Sequence, residues 1–421
     1  MTLPTGNGVA SAAIALIVVA PLAGCNEAWT SASVDAGVHD VAVHDAADVI
    51  GADAPDAGIG DVDAPDVACV PIEPLGLLGP ALPIDADIVH ARWIGASGAT
   101  LASRFEGAVR RWAVTADGAD VISEAPWPAA FDGTPVAFDA RGASAATVTA
   151  TDLHPIVTLA RVGYDGAVLE DAATPIEGAG DLQVQLLPGE PVVAIITTWY
   201  PNSDRIVSWW LKLGGEPIPM NEVIGLTGLD TVGADTVDDD AFGTPVDVAV
   251  EPAATGGSNP LTQLRIGRDG VPERPFLVHM AAESPSYIDV VTDGDDTLVS
   301  WTEPGPVSDL RAERVHDGEP TRVTALDTVP GVNPAFVSSD ATAGRTVHVW
   351  QDVDGPTMWA VQAIDGVYGA ITRIHPPEPP TQMLPLPRID GDTLHVAWLG
   401  WSEAIGSQVY VASTPLCEPA P

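Results

Sequence analysis

The residues able to do chemistry are few and scattered in this chain of 421 residues, which has nine histidines and three cysteines. A metalloprotease helix would read HExxH, a zinc or redox pair CxxC, and a serine nucleophile GxSxG. None of these strings occurs. His348 and His395 fall in similar strings, RTVHVW and DTLHVAW. A place shared between repeated units points to packing, and a metal pair is the sharper alternative. The runs Asp235–Asp240 and Asp293–Asp296 offer the hard oxygens that calcium takes, but neither has EF-hand spacing. Solvated acidic loops are expected there, and neither a catalytic residue nor a cofactor is assigned. Neighbours on a strand point to opposite faces, so one of Trp209 and Trp210 is expected to be exposed.

The elements that must carry these residues repeat. Apolar runs closed by Asp-Gly or Gly-Gly end at Gly118, Gly166, Gly215, Gly270, Gly318 and Gly366, spaced by 48, 49, 55, 48 and 48 residues. A second landmark, a short apolar run ending in Trp, recurs at Trp199, Trp301, Trp350 and Trp398, spaced by 102, 49 and 48. Each unit reads as four short strands. Asp-Gly and Gly-Gly supply the positive φ that tight hairpins need, and Val, Thr, Ile and Trp supply pleated faces. Proline, 39 residues, falls mostly between strands. Four-stranded units at this period specify an all-β chain folded as a β-propeller, with seven blades of about 48 residues expected. A six- or eight-bladed ring and tandem β-sandwiches are the alternatives. The last unit, ending QVYVASTP, holds only three strands, so the segment Cys69–Asp85 is expected to supply the missing outer one.

Charge and cysteines narrow the setting. The formal net charge is −41, and no Lys or Arg precedes Arg92. Such a surface repels phosphate backbones and anionic lipid headgroups, so no nucleic-acid partner is expected. Residues 26 to 68 are mostly Asp, Ala, Val, Gly and Pro without sustained periodicity, a composition that favours a disordered, self-repelling spacer. His39 and His44 in it read as incidental. Cys69 and Cys417 bound the propeller sequence and are expected to form a disulfide. Closing a loop of that length contributes ~5–6 kcal/mol in the chain-entropy account.

Val9 to Ala20 is an apolar run too short to cross a bilayer, which needs about 20 residues. It fits the core of a signal peptide, although Met1 to Gly8 lacks the usual positive charge. The run leads to Leu22-Ala23-Gly24-Cys25, which resembles the lipobox of bacterial lipoproteins residue for residue. The resemblance implies cleavage before Cys25 and lipid on its thiol and freed amine. Two or three acyl chains, at ~0.8 kcal/mol per buried CH₂, make a durable anchor. Asn26 then weakly favours the outer membrane.

The expected organisation is a signal peptide at 1–24, a lipidated tether at 25–68 and a propeller at 69–421, lipid-anchored at the outer membrane or cell surface. A monomer is expected, acting as a non-catalytic binding or scaffold domain for a protein or glycan ligand. The alternative is a glycan-directed hydrolase or lyase of sialidase type. The sialidase Asp-box, SxDxGxTW, lies between third and fourth strands. The nearest stretch here, Ser338–Gly344, spaces Asp and Gly differently and is expected between first and second strands.

Overall fold

In the computed structural model, the described residues run from Leu78 to Leu416. Outside them lie residues 1–77 and 417–421 and a number of internal loops, among them 220–228, 237–245, 253–258, 267–275, 327–332 and 375–380. No helix among the described residues is long and apolar enough to cross a membrane. The strands form seven separate antiparallel sheets, numbered I to VII along the chain. Six are consecutive four-strand meanders, and in sheet VI the outermost strand is broken into two short pieces, Val367–Tyr368 and Thr372–Arg373.

Sheet V shows how sequence makes the unit. Its strands are Ser286–Asp293, Asp296–Glu303, Asp309–His316 and Glu319–Leu326. These are the four runs that the apolar and turn residues of 286–328 delimit. The inner strands of sheets I to VII begin at Ala91, Val136, Asp181, Leu229, Ser286, Pro334 and Thr381. Successive inner strands lie against one another from I to III and from IV to VII, and that of VII returns to that of I. This is a β-propeller arrangement of four-stranded blades. Sheet VII takes its outer strand from the opposite end of the sequence: Leu82, Pro83 and Ile84 pair with Val411, Tyr410 and Val409. The strand falls inside the expected segment Cys69–Asp85.

Of the six glycine landmarks, Gly118, Gly166, Gly215 and Gly366 lie among the described residues, each between the third and outer strand of its sheet. Gly270 and Gly318 lie outside them. The Trp landmarks sit on second strands. Trp301, Trp350 and Trp398 are fully buried, each packed toward the preceding sheet. Prolines are not confined to turns. Pro385 and Pro387 occupy the inner strand of sheet VII, which has one unpaired edge and so tolerates a missing N–H.

Gly166 fixes a seam between sheets I and II. Its φ is +80°, and a Cβ there would stand 2.3 Å from the Pro126 carbonyl oxygen. Gly166→Ala is therefore expected to destabilise the fold by more than about 1 kcal/mol, read as a lower urea midpoint with an unchanged slope.

Candidate functional site

The inner strands border the propeller axis, where ligands and chemistry are commonly placed, so their side chains decide what the ring can do. Three of them share a device. Tyr287, Phe336 and Leu384 all have φ between 50° and 54°. Each sits at a register shift against its second strand, between Ser286 and Asp289, Ala335 and Ser338, and Met383 and Leu386. A left-handed bulge carried by a bulky residue is strained and persists only where the surroundings over-determine it. Here packing does so. The Tyr287 and Phe336 rings lie 4.5 Å apart, and Leu384 packs into the apolar cluster between sheets VII and I. These residues wedge each sheet against the next.

The bulge sets which side chains face the next sheet. Residues two, four and six places beyond it point the same way, and acids there meet backbone N–H groups. Ser339 N–H donates to Asp289 Oδ2 at 2.6 Å, and Ile389 N–H donates to Asp340 Oδ2. Ala343 and Gly344 N–H both donate to Asp293 at 2.9 Å. Each joins neighbouring sheets, and each satisfies a donor that would otherwise be unpaired. At the acidic turn, Asp293 binds the next sheet and Asp296 pairs with Arg314 at 2.8 Å. Asp295 and Asp238–Asp240 lie outside the described residues. At the closing seam, Arg388 pairs with Asp340 and donates to the carbonyls of Gly95 and Gly98, while the Trp93 indole donates to Leu386 O at 2.9 Å.

His348 lies in a buried polar chain. The Ser300 and Ser339 hydroxyls are 2.8 Å apart, Ser339 Oγ is 2.8 Å from His348 Nδ1, and His348 Nε2 is 3.2 Å from the Tyr368 hydroxyl. A Ser–His contact of this length is what a nucleophile and base require. Burial, however, drives the imidazole from its ordinary 6.5 down to about 3, so it is a weak base at neutral pH. Burial also pushes the Tyr368 phenol up to about 12. His395 Nδ1 contacts Ser413 Oγ at 2.7 Å, and its pKa is lowered by burial. The two histidines are not equivalent. His348 precedes its Trp by two residues and His395 by three. One residue reverses the face of a strand, so His348 looks back to sheet V while His395 looks forward to Trp93 of sheet I, 6.5 Å between ring centroids.

The Trp209-Trp210 expectation needs a similar correction. Trp210 is buried, but Trp209 is half-buried against the apolar cluster shared by sheets II and III. Here both faces of the third strand of sheet III are covered, so alternation on it does not expose one Trp. Ser338–Gly344 lies on the inner strand Pro334–Thr342 and the turn after it, between first and second strands as expected. The seven inner strands carry two arginines, Arg92 and Arg388, one tyrosine, Tyr287, and no glutamate. They do not assemble a three-arginine clamp with a Tyr–Glu pair. Among the described residues no group of three or more His, Cys, Asp or Glu side chains is arranged to hold a metal ion. Cys25, Cys69 and Cys417, the proposed lipidation and disulfide positions, lie outside the described residues.

No protein-family profile matches the chain, and no curated protein matches it. Some solved structures are similar to it, at low identity. An uncharacterized protein from Listeria monocytogenes EGD-e is 9% identical with a TM-score of 0.40, over 76% of this chain and 94% of that one. A point mutant of Synechocystis apocarotenoid oxygenase is 11% identical with a TM-score of 0.40, over 71% of this chain and 74% of that one. The cobalt-substituted form of that oxygenase is 10% identical with a TM-score of 0.39, over 74% of each chain.

Proposed function

We propose that this chain is an exported lipoprotein whose propeller serves as a non-catalytic binding or scaffold domain at the bacterial outer membrane or cell surface. In this reading residues 1–24 are removed, Cys25 carries the lipid, residues 25–68 form the spacer, and the seven sheets are seven blades of one ring. The observation that carries the non-catalytic part is where the reactive groups go. Asp289, Asp293 and Asp340 are spent on neighbouring backbone N–H groups, and His348 is a buried, weakly basic imidazole between Ser339 and Tyr368.

The meeting of the chain ends supports closure by a Cys69–Cys417 disulfide. Leu78 and Leu416 share one apolar cluster, Gly79 N–H donates to Ser413 O at 2.8 Å, and Leu416 N–H donates to Asp392 O at 2.9 Å. Cys417 follows directly.

Fractionation of cells producing the full chain tests the anchor. The wild-type chain is expected in the membrane fraction and Cys25→Ser in the soluble one. A Cys25→Ser chain that stays with the membrane sinks the lipoprotein reading. A gel shift on reduction, lost in Cys417→Ser, reports the disulfide.

A further inference from the structure

Exposed large aliphatic side chains concentrate on the outer strands of sheets I and II, Ala119–Pro126 and Val168–Pro175, eight residues each. Each strand pairs only with the third strand of its own sheet, leaving one edge unpaired among the described strands. In each, one extra residue interrupts the pairing. Ile122 falls between Val121, opposite Trp112, and Ser123, opposite Arg111. Leu169 falls between Val168, opposite Val162, and Glu170, opposite Arg161. Both bulges fall on the outer strand of their sheet. Ile122 is 52% exposed and Leu169 62%.

A bulge on an edge strand normally blunts it, together with charge or proline. These bulges instead hold out an aliphatic side chain. Four consecutive residues, Val168 to Asp171, are all exposed, as are Asp120 to Ile122. Neighbours on a strand alternate between faces, so unbroken exposure means the edge and both faces stand clear of the ring. Gly166, just before the second strand, lies against the Pro126 carbonyl that ends the first, so the end of the first strand meets the turn that opens the second.

The charge is one-sided. Asp120 and Glu124 on the first strand and Glu170 and Asp171 on the second are exposed, and neither strand contains a base. Arg110 and Arg111 of the adjoining third strand bind Glu124 and Ser123. A second copy of the chain, with net charge −41, would bring like charge to this surface, and so would an anionic lipid.

We propose that the outer edges of sheets I and II receive an extended segment of a partner protein, rich in aliphatic and Lys or Arg residues, which adds as a fifth strand. Backbone pairing to the free edge would supply affinity and the Ile122 and Leu169 side chains the apolar contacts, as in strand addition elsewhere. The inference rests on the binding reading above but not on the lipid anchor, so the two are tested separately.

The test uses the full chain carrying Cys25→Ser and a fluorescent eight-residue peptide of alternating Lys and Val, followed by anisotropy. Saturable binding is expected. It should weaken by about tenfold or more in the Ile122→Ser/Leu169→Ser variant and when alternate peptide amides are N-methylated, and should be absent for a Glu–Val peptide. Val148→Ser, exposed on the second strand of sheet II, should change nothing. Absence of Lys–Val binding overturns the proposal, and so does equal binding of the N-methylated peptide, which marks ionic adsorption. Self-association, or sedimentation with phosphatidylcholine vesicles, that the double variant abolishes would assign the edge to a second copy or to lipid instead. Circular dichroism of the variants checks that they fold.

Discussion

Asp139→Ala is expected to destabilise the protein by about 3–5 kcal/mol, the loss typical when one partner of a buried ion pair is removed. Asp139 and Arg161 are both nearly fully buried, and the guanidinium grips the carboxylate at 2.7 and 2.6 Å. The same carboxylate accepts from the N–H groups of Arg141 and Gly142 in its own turn and from Gly189 of sheet III. Alanine strands a buried cation and three donors together. Gly142 helps make the room: a Cβ there would lie 2.4 Å from the Val162 carbonyl oxygen and 3.6 Å from Arg161 Cζ. The pair is therefore a joint between sheets II and III. Arg161→Met alone should also be costly, because it leaves the carboxylate buried, whereas Asp139→Ala/Arg161→Met should cost clearly less than the two single losses added together. Urea midpoints of the four proteins measure this. Additive losses, or a cost below about 1 kcal/mol for Asp139→Ala, would show that the joint does not hold the sheets.

The period of the fold was legible because its markers are local. Gly118, Gly166, Gly215 and Gly366 mark one turn in every unit they end; the positive φ of a tight hairpin selects Gly at Gly166 and Gly366, while in the Gly214-Gly215 turn it falls on Gly214. A core that must be filled selects Trp, and Trp301, Trp350 and Trp398 mark one strand. The incomplete last unit likewise forecast an outer strand from the other end of the chain. Which face each side chain takes was not legible. The bulges that reset the alternation fall on Tyr287, Phe336 and Leu384, residues that carry no turn signal. Without them Asp289, Asp293 and Asp340 look like loop or surface acids rather than bonds between sheets. Similarly, the strings around His348 and His395 conceal a one-residue offset, and one residue sends an imidazole to the opposite wall. The sites resting on Cys25, Cys69 and Cys417 depend on a motif and on spacing, and the fold adds only that Leu78 and Leu416 meet.

The stability of the protein should be nearly independent of two opposing titrations between about pH 6.5 and 4.5 and fall steeply below that. His348 is held near 3 by burial against an ordinary 6.5. As pH falls from 6.5 to 3, the unfolded chain takes up a proton there that the folded one refuses, so stability drops by ~1.4 kcal/mol per pH unit. Glu313 works the other way. It is buried on the third strand of sheet V, its Oε2 has no hydrogen-bond partner among the described residues, and burial raises its pKa from 4.5 to about 7. Between 7 and 4.5 the folded chain holds a proton that the unfolded one has lost, so stability rises as pH falls, at up to the same slope. Below 4.5 both states hold it, and of the two terms only that of His348 continues. Glu313→Gln removes the compensation, so its unfolding free energy should begin to decline at about pH 6.5 rather than 4.5. His348→Gln should flatten the acid limb whatever its offset at pH 8. Urea unfolding from pH 8 to 4 reads both slopes against the wild-type chain. Parallel curves for all three proteins would mean that neither group keeps in solution the protonation its burial imposes.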